Sequence, residues 1–246
     1  MQTRVYKMEI FKYETTDSTN TRAKEYAKSK SAAMPAVFIA DAQTAGRGRR
    51  GRSFDSAGGA GLYMSILFRP EPECSDAAKI TVRAAVSVCR AIRSLTGVSV
   101  GIKWVNDIFF DGKKLAGILT EGEFSGGGGF NYAVCGIGIN LLSREFPEEL
   151  AGRAGALEDA CGLRVDRDVL AEKIISEFFS AKDFPDVIFE YRSLSVLIGR
   201  RAEMRRISGE VFFATVLDIT DGGALLVLRE DGVREELISA EVSVIL

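Results

Sequence analysis

Residues 98–141 read VSVGIKWVNDIFFDGKKLAGILTEGEFSGGGGFNYAVCGIGINL. Four strand-like runs are found here, at Val98–Trp104, Asp107–Phe110, Leu115–Phe124 and Tyr132–Leu141. Asp111-Gly112 is a hairpin signal between the second and third runs, and Gly126–Gly129 separates the third from the fourth as a predicted surface turn. Because these strands follow one another without intervening helices, the stretch predicts an α+β fold with a mixed sheet.

Further strands and helices are predicted on both sides of this stretch. The strands are expected at Met8–Tyr13, Ala36–Ala40 and Leu62–Phe68, and the helices at Asn20–Ser29, Asp76–Leu95, Val169–Ala181 and Pro185–Leu194. The second helix has the clearest pattern, because its apolar residues recur every three or four positions. Gly97 follows it as a predicted C-cap.

The character of the sequence changes after about Ser195. Short strand-like runs separated by Asp-Gly turns are predicted at Val211–Ile219, Ala224–Arg229 and Glu235–Ile245. This pattern is typical of a small antiparallel barrel or sandwich. We therefore predict a large domain over residues 1–195 and a small β-domain over residues 196–246.

The composition excludes several classes of function. The 246 residues include 32 Lys+Arg, 34 Asp+Glu and no histidine, so the net charge is −2 and imidazole-based triads and zinc or iron sites are ruled out. The charge balance argues against a basic nucleic-acid binder. No apolar run approaches the ~18 residues of a membrane span, and no signal peptide is visible. The scattered cysteines are Cys74, Cys89, Cys135 and Cys161. We expect free thiols in a cytoplasmic protein.

A loop rich in glycine and arginine, Gly46–Arg52, follows the predicted strand Ala36–Ala40. It matches GxGxxG formally, but it runs into another strand and not into a helix, so a dinucleotide-binding fold is rejected. A Walker A loop fails because no GKS or GKT follows. Arginines among glycines can grip phosphate or carboxylate oxygens, and a solvated basic loop is the alternative.

Three clusters in residues 98–141 suggest ligand contacts. Lys103, Asn106 and Asp107 bring together an ammonium, an amide and a carboxylate, which suit phosphates and a divalent ion. A structural Lys–Asp pair beside a buried tryptophan is the alternative. In the KKLAGIL segment, Gly117 can let a small ligand approach the backbone. The GIGIN segment ends in Asn140, and a glycine-kinked core strand is its alternative interpretation.

Taken in order, these motifs resemble those of the biotin protein ligase family. The matching pieces are Asp17-Ser18-Thr19-Asn20, Gln43 with Ala45–Arg52, Lys103-Trp104-x-Asn106-Asp107, Lys114–Leu119 with Glu121, and Gly136-x-Gly138-x-Asn140. Each piece is weak alone, but the ordered set is specific. The resemblance implies a mixed-sheet catalytic domain of the biotin/lipoate ligase type, followed by a small SH3-like β-barrel.

The resemblance also implies two half-reactions with ATP and biotin as substrates and Mg²⁺ as the metal ion. The biotin carboxylate attacks the α-phosphate of ATP, which gives biotinyl-5′-AMP and pyrophosphate. A lysine of the biotin carboxyl carrier domain of acetyl-CoA carboxylase, or of a related carboxylase, then attacks the acyl carbonyl and releases AMP. An ionised carboxylate needs no general base, so the absence of histidine fits this chemistry.

The resemblance implies three overlapping sets of site residues. The biotin-binding set is Ser18, Thr19, Asn20, Gln43, Arg47, Gly48, Arg49, Lys114 and Gly117. The nucleotide-binding set is Arg49, Arg50, Lys103, Asn106 and Asn140. The catalytic set is Lys114, Arg47, Arg49, Lys103 and Asp107, with Asp107 also expected at Mg²⁺.

Specific roles follow for the charged residues. Arg47 and Arg49 are expected to close over the acyl phosphate, Lys114 to lie at the biotin carboxylate, and Lys103 to neutralise pyrophosphate. The carrier lysine must lose a proton to Asp107, to the adenylate phosphate or to solvent. Val105 stands where the family usually has proline, and Phe54 where it often has tryptophan. Because neither change removes a charged group, we expect altered local rigidity or adenine stacking and no loss of activity.

Two other functions are compatible with parts of the sequence. A lipoate or octanoyl ligase or transferase shares the catalytic fold, but the Gly-Arg loop and the KWVND segment argue against it. A nucleic-acid module using the loop arginines is disfavoured by the net charge. Only 17 residues precede Ser18, too few for the helix-turn-helix domain of bifunctional members, so we expect no DNA binding and no repressor role. The sequence leaves a homodimer open.

Overall fold

The computed structural model describes residues 8–71, 76–124, 130–181, 183–238 and 240–244. Cys74 and the turn predicted at Gly126–Gly129 lie outside this part of the chain. Within the described residues, no helix combines the length and the apolar character needed to cross a membrane.

The large domain is built on a seven-stranded mixed sheet. Its strands are β1 (Glu9–Thr16), β2 (Ala36–Gln43), β3 (Gly61–Phe68), β4 (Gly101–Lys103), β5 (Asp107–Phe110), β6 (Lys113–Phe124) and β7 (Phe130–Asn140). Their order is β1-β2-β3-β7-β6-β5-β4. β1 and β2 run parallel, and the remaining neighbours are antiparallel. The predicted α+β class with a mixed sheet is confirmed.

Five α-helices accompany this sheet in the described residues. They are α1 (Thr19–Ala27), α2 (Ala77–Thr96), α3 (Leu157–Cys161), α4 (Arg167–Ser180) and α5 (Phe184–Ser193). The predicted boundaries of α2 are confirmed by its caps. The Asp76 carboxylate accepts a hydrogen bond from the Lys79 backbone N–H at 2.8 Å. Gly97 ends the helix in the left-handed conformation, with φ = 75°, which favours glycine.

The helices cover the two faces of the sheet unequally. On β2, the side chains of Val37 and Ile39 join a large core with α2, α4 and α5. The alternating Phe38 faces the other way, into a small core with Ala23 of α1. The face that carries α1 therefore has the smaller apolar core.

The C-terminal sheet is antiparallel and five-stranded. Its strands are β8 (Arg201–Arg205), β9 (Val211–Ile219), β10 (Leu225–Arg229), β11 (Arg234–Leu237) and β12 (Glu241–Val244), in the order β11-β10-β9-β8-β12. The predicted small β-domain is confirmed. The single strand expected at Glu235–Ile245 is wrong, because the chain forms two strands there. β8 was not predicted, and the domain boundary after residue 195 stays a prediction.

The small domain contacts the large one beside Trp104, the residue that follows β4. The indole Nε1–H of Trp104 donates to the backbone oxygen of Gly223, at 2.8 Å. Arg192 of α5 donates to the backbone oxygen of Ile219 and pairs with Asp221 at 2.7 Å. The turn between β9 and β10 is thus fastened to the large domain next to the KWVND segment.

Candidate active site

The register of the sheet aligns five site residues in one row. Lys103 pairs with Asp107, Asp107 with Gly117, Gly117 with Gly138, and Gly138 with Tyr63. Residues directly opposite each other on paired strands project to the same face. The row therefore places two charged groups and an aromatic ring around a central strip of bare backbone.

We call Gly117, Gly136 and Gly138 the glycine floor. The ring of Phe54 lies on it: a Cβ at Gly138 would be 2.6 Å from Phe54 Cε1, and a Cβ at Gly117 would be 3.3 Å from Phe54 Cε2. Tyr63 packs edge-on against the ring, with centroids 6.3 Å apart. Only glycine lets a flat group come this close to the strands.

A polar wall stands at one end of the glycine floor, where α1 begins. The backbone N–H and hydroxyl of Thr19 both donate to Gln43 Oε1, at 2.8 and 3.2 Å. The buried Ser65 hydroxyl lies 2.7 Å from Thr19 Oγ1 and 2.5 Å from Asn20 Oδ1. Ser18 precedes the helix as its N-cap residue in extended conformation. These groups place several hydrogen-bond donors and acceptors at this end of the glycine floor.

Glu121 joins this wall to the Gly-Arg loop. Its Oε2 accepts from Asn20 Nδ2 at 2.8 Å and from Arg47 Nη2 at 3.0 Å. Its Oε1 accepts from Lys24 Nζ at 3.0 Å. Burial raises the pKa of Glu121, but the hydrogen bonds from Asn20 and Lys24 and the charge of Arg47 outweigh burial, so the pKa lies below its ordinary value.

The Gly-Arg loop folds back on itself. The backbone N–H of Gly48 donates to the backbone oxygen of Arg52 at 2.7 Å. Arg50 and Gly51 take left-handed backbone angles, with φ of 57° and 74°, and reverse the chain between them. Glu241 of the small domain pairs with Arg52, and with Arg50 at 3.6 Å. The loop is thus held between the two domains.

A second polar cluster lies at the other end of the floor. Lys114 Nζ is 2.7 Å from Asp107 Oδ1, which also accepts from Asn106 Nδ2 at 2.9 Å. Asn106 Oδ1 in turn accepts from Arg49 Nη1 at 3.2 Å. In the described residues, no group of three carboxylate, thiol or imidazole side chains is arranged to hold a metal ion.

Two predicted nucleotide residues lie around this cluster. Burial lowers the pKa of Lys103 below its ordinary 10.5; the charge of Asp107 opposes the shift, and nearby cations reinforce it. The buried Asn140 donates from Nδ2 to the backbone oxygen of Gly155 at 3.1 Å. Gly155 donates its N–H to the backbone oxygen of Lys114 at 3.0 Å, so Asn140 braces the segment beside Lys114.

The structure thus brings most predicted site residues into two clusters on either side of the glycine floor. Sequence reasoning missed Ser65 and Tyr63, and it gave Glu121 no role. A serine at an inward position of the apolar strand β3 was the available signal for Ser65. No ligand role assigned to a single residue is tested by this geometry, and those roles stay predictions.

Two protein-family profiles match this chain. The profile of the Biotin/lipoate A/B protein ligase family matches residues 13–140, and that of the Biotin protein ligase C terminal domain matches residues 197–244. The chain belongs to the biotin protein ligase family. The resemblance predicted from its motifs is confirmed.

Relatives of this biotin protein ligase cover nearly its whole length. The bifunctional ligase/repressor BirA of Bacillus subtilis (strain 168) is 32% identical over 250 residues, which cover 98% of this chain and 76% of the relative. The biotin–[acetyl-CoA-carboxylase] ligase of Mycobacterium tuberculosis is 30% identical, covering 92% of this chain and 84% of that protein.

A solved structure shares the fold of this biotin protein ligase. The biotin protein ligase from Aquifex aeolicus, in complex with biotin and ATP, superposes with a TM-score of 0.80 and is 29% identical. The match covers 96% of this chain and 98% of that one. The arrangement of a mixed-sheet domain and a small β-domain is therefore common to both proteins.

Proposed function

We propose that this chain attaches biotin to a lysine of a biotin carboxyl carrier domain, through biotinyl-5′-AMP and at the expense of ATP. One observation carries the proposal. A bare glycine floor runs between an uncharged polar wall and a cluster that holds Lys114 and Arg49. Such an arrangement suits a molecule with an uncharged polar head, an apolar middle and an anionic tail, as biotin has.

Biotin is proposed to lie with its ureido ring at the polar wall. Thr19, Asn20 and Gln43 offer hydroxyl and amide groups that can pair with the ureido N–H and C=O. The apolar middle passes over the glycine floor, so the ring of Phe54 has to move from its position there or pack against the ligand. The carboxylate then reaches Lys114, whose ammonium is its charge partner.

In the first half-reaction, a biotin carboxylate oxygen forms a bond to the α-phosphorus of ATP. The bond from that phosphorus to the bridging oxygen breaks, and pyrophosphate leaves with the electron pair. No proton moves, so the protein has to align the reactants and neutralise charge. We assign Lys114 and Arg49 to the forming acyl phosphate and Lys103 to the leaving pyrophosphate.

Magnesium is proposed to arrive with ATP as part of the substrate. Mg²⁺ commonly keeps several waters and is held by one or two carboxylates together with substrate phosphates. The lone carboxylate of Asp107, which accepts a hydrogen bond from the Asn106 amide nitrogen, fits this demand. Magnesium would offset phosphate charge, and Asp107 would exchange its Lys114 partner for the ion.

In the second half-reaction, the neutral amine of the carrier lysine attacks the acyl carbon of biotinyl-AMP. A C–N bond forms, the bond from that carbon to the phosphate oxygen breaks, and AMP leaves with the electron pair. One proton must pass from the amine to a base. We propose Asp107 as that acceptor, with the adenylate phosphate and solvent as the alternatives to be tested.

A biotin-dependent ATP–pyrophosphate exchange assay tests the first half-reaction. A mass shift of a purified carrier domain tests the second half-reaction, with lipoate offered in competition because a lipoate ligase shares this fold. We expect exchange with biotin and modification of the carrier lysine. Preference for lipoate, or no exchange with biotin, would overturn the proposal. Gel shifts on DNA and sedimentation would test the expected lack of DNA binding and the open question of a homodimer.

A further inference from the structure

A carboxylate lies inside a site that is proposed to bind anions. Glu121 is half-buried on β6 and contacts both the polar wall and the Gly-Arg loop. A negative charge at this position repels anionic ligands, so other interactions must stabilise the carboxylate there. Hydrogen bonds stabilise it, because both oxygen atoms of Glu121 accept from donors on other elements.

The first effect of Glu121 is on the amide of Asn20. Asn20 Nδ2 faces two acceptors, Glu121 Oε2 at 2.8 Å and the Leu119 backbone oxygen at 3.3 Å. Asn20 Oδ1 faces the Ser65 hydroxyl at 2.5 Å. Only one orientation of the amide satisfies all three partners. Glu121 therefore helps to fix which atom of Asn20 faces the glycine floor.

The second effect is on the guanidinium of Arg47. Glu121 Oε2 accepts from Arg47 Nη2 at 3.0 Å, while Arg47 Nε is buried without a hydrogen-bond partner among the described residues. A buried donor that lacks a partner is costly, and an incoming acceptor relieves that cost. Glu121 thus holds one edge of the guanidinium and leaves another donor available to an anionic ligand.

We propose that Glu121 is a positioning residue that sets Asn20 and Arg47 through one shared carboxylate oxygen. The inference rests on the proposed function, in which Asn20 binds the biotin head and Arg47 closes on the acyl-adenylate. Because one oxygen serves both partners, ordering of the pocket and of the loop are coupled. Lys24 balances the carboxylate from its other side, and the charge of Arg47 remains for the ligand.

Glu121→Gln tests this role, with Glu123→Gln as a matched control. Glu123 lies two residues further along the same strand, is exposed, and accepts from Asn131 at 3.2 Å. Both variants lose one negative charge. We expect Glu121→Gln to raise the KM for biotin about tenfold and to release biotinyl-AMP about tenfold faster, because a neutral amide oxygen accepts more weakly than a carboxylate and the amide NH2 cannot accept from Lys24. Glu123→Gln should leave both quantities unchanged.

A double variant separates positioning from a general loss of stability. If Glu121 acts on retention through Arg47, then Arg47→Ala/Glu121→Gln should release biotinyl-AMP at the rate of Arg47→Ala alone, within about twofold. If the release rate of the double variant rose by the product of the two single effects, the result would contradict the inference. Glu121→Asp keeps the charge but shortens the reach, and it should behave like Glu121→Gln; wild-type behaviour would also count against positioning.

A readout without substrates keeps this inference distinct from the proposed function. Trypsin cleaves after the loop arginines Arg47, Arg49, Arg50 and Arg52, and the Arg47 anchor should protect them. We expect faster cleavage in the loop of Glu121→Gln than of Glu123→Gln, at equal melting temperature. Equal cleavage rates would overturn the anchor even in an active ligase. If the wild type shows no biotin-dependent exchange, the proposed function fails while the cleavage result stands.

Discussion

Lys114 Nζ lies 2.7 Å from Asp107 Oδ1, where β6 and β5 run side by side with a shift of register after Ile108. The pair holds the ammonium of Lys114 at the edge of the glycine floor. In the proposed function, an incoming carboxylate or phosphate replaces the Asp107 oxygen as the partner of this lysine. In the proposed first half-reaction, the charge assigned to Lys114 would therefore be in place before the substrate arrives.

Replacement of Lys114 should abolish most adenylate formation. We expect Lys114→Ala to lower the rate of ATP–pyrophosphate exchange by about 10²–10³-fold, as loss of a preorganised charge contact does. Lys113→Ala is the matched control, because Lys113 is the exposed neighbour on the same strand. A rate near that of the wild type for Lys114→Ala would refute the assignment.

The depressed pKa of Lys103 predicts a limit at alkaline pH. Burial lowers the pKa of Lys103, so this ammonium loses its proton at a lower pH than an ordinary lysine does. Adenylate formation should fall as the pH rises through that lowered pKa, measured by exchange rate against pH. Lys103→Arg keeps the charge throughout this range and should move the decline to higher pH. If the exchange rate of Lys103→Arg declined at the same alkaline pH as that of the wild type, the result would contradict the role of Lys103.

Gly138 should not tolerate a side chain. A Cβ would lie 2.6 Å from Phe54 Cε1, so Gly138→Ala forces the ring or the strand to shift, at a cost of about 1–3 kcal/mol. We expect a lower free energy of unfolding and a raised KM for biotin. Gly58→Ala is the control, because its Cβ would meet only Ala42 at 3.7 Å. If the two variants had equal free energies of unfolding and equal KM values for biotin, the glycine floor would have room for a side chain.

Loss of Arg49 should loosen retention of the adenylate more than it weakens ATP binding. Arg49 reaches Asn106 from the loop, beside Asp107, and is proposed to close on the phosphate of the intermediate. We expect Arg49→Ala to release biotinyl-AMP about tenfold faster in single-turnover experiments without carrier. Arg205→Ala, which removes an exposed arginine of the small domain, should retain the intermediate as the wild type does. Equal retention in both variants would argue against this role.

Some elements of this fold could be predicted from local sequence because interactions between residues close in sequence determine them. The apolar period and caps of α2 are examples, as are the alternating residues of β3. β8 escaped because only Ala202 and Met204 point inward, between charged residues, and two apolar positions give too short a pattern.

The site was predictable as a set of residue types but not as a set of contacts. Glu121 and Asn20 are 101 residues apart in sequence, and they meet because strand order brings β6 close to α1. The Lys114–Asp107 contact depends on the irregular register between β5 and β6. Neither strand order nor irregular register is encoded in a local pattern, so these contacts need the folded chain.

The row of paired residues from Lys103 to Tyr63 forms only if each strand turns its site residue to the same face of the sheet. The site therefore depends on whether the number of residues between fixed points of a strand is odd or even. Side chains alternate between the two faces of a strand, so one residue added to β6 between Leu115 and Gly117 would reverse the alternation across the insertion. Either Gly117 or Leu115 would then point to the opposite face of the sheet. A second added residue would restore the alternation. Chains with one extra residue there should lose biotin binding more completely than chains with two, although the smaller insertion changes less of the protein. An odd or even count of residues, rather than the chemistry of any side chain, would then decide whether the pocket exists.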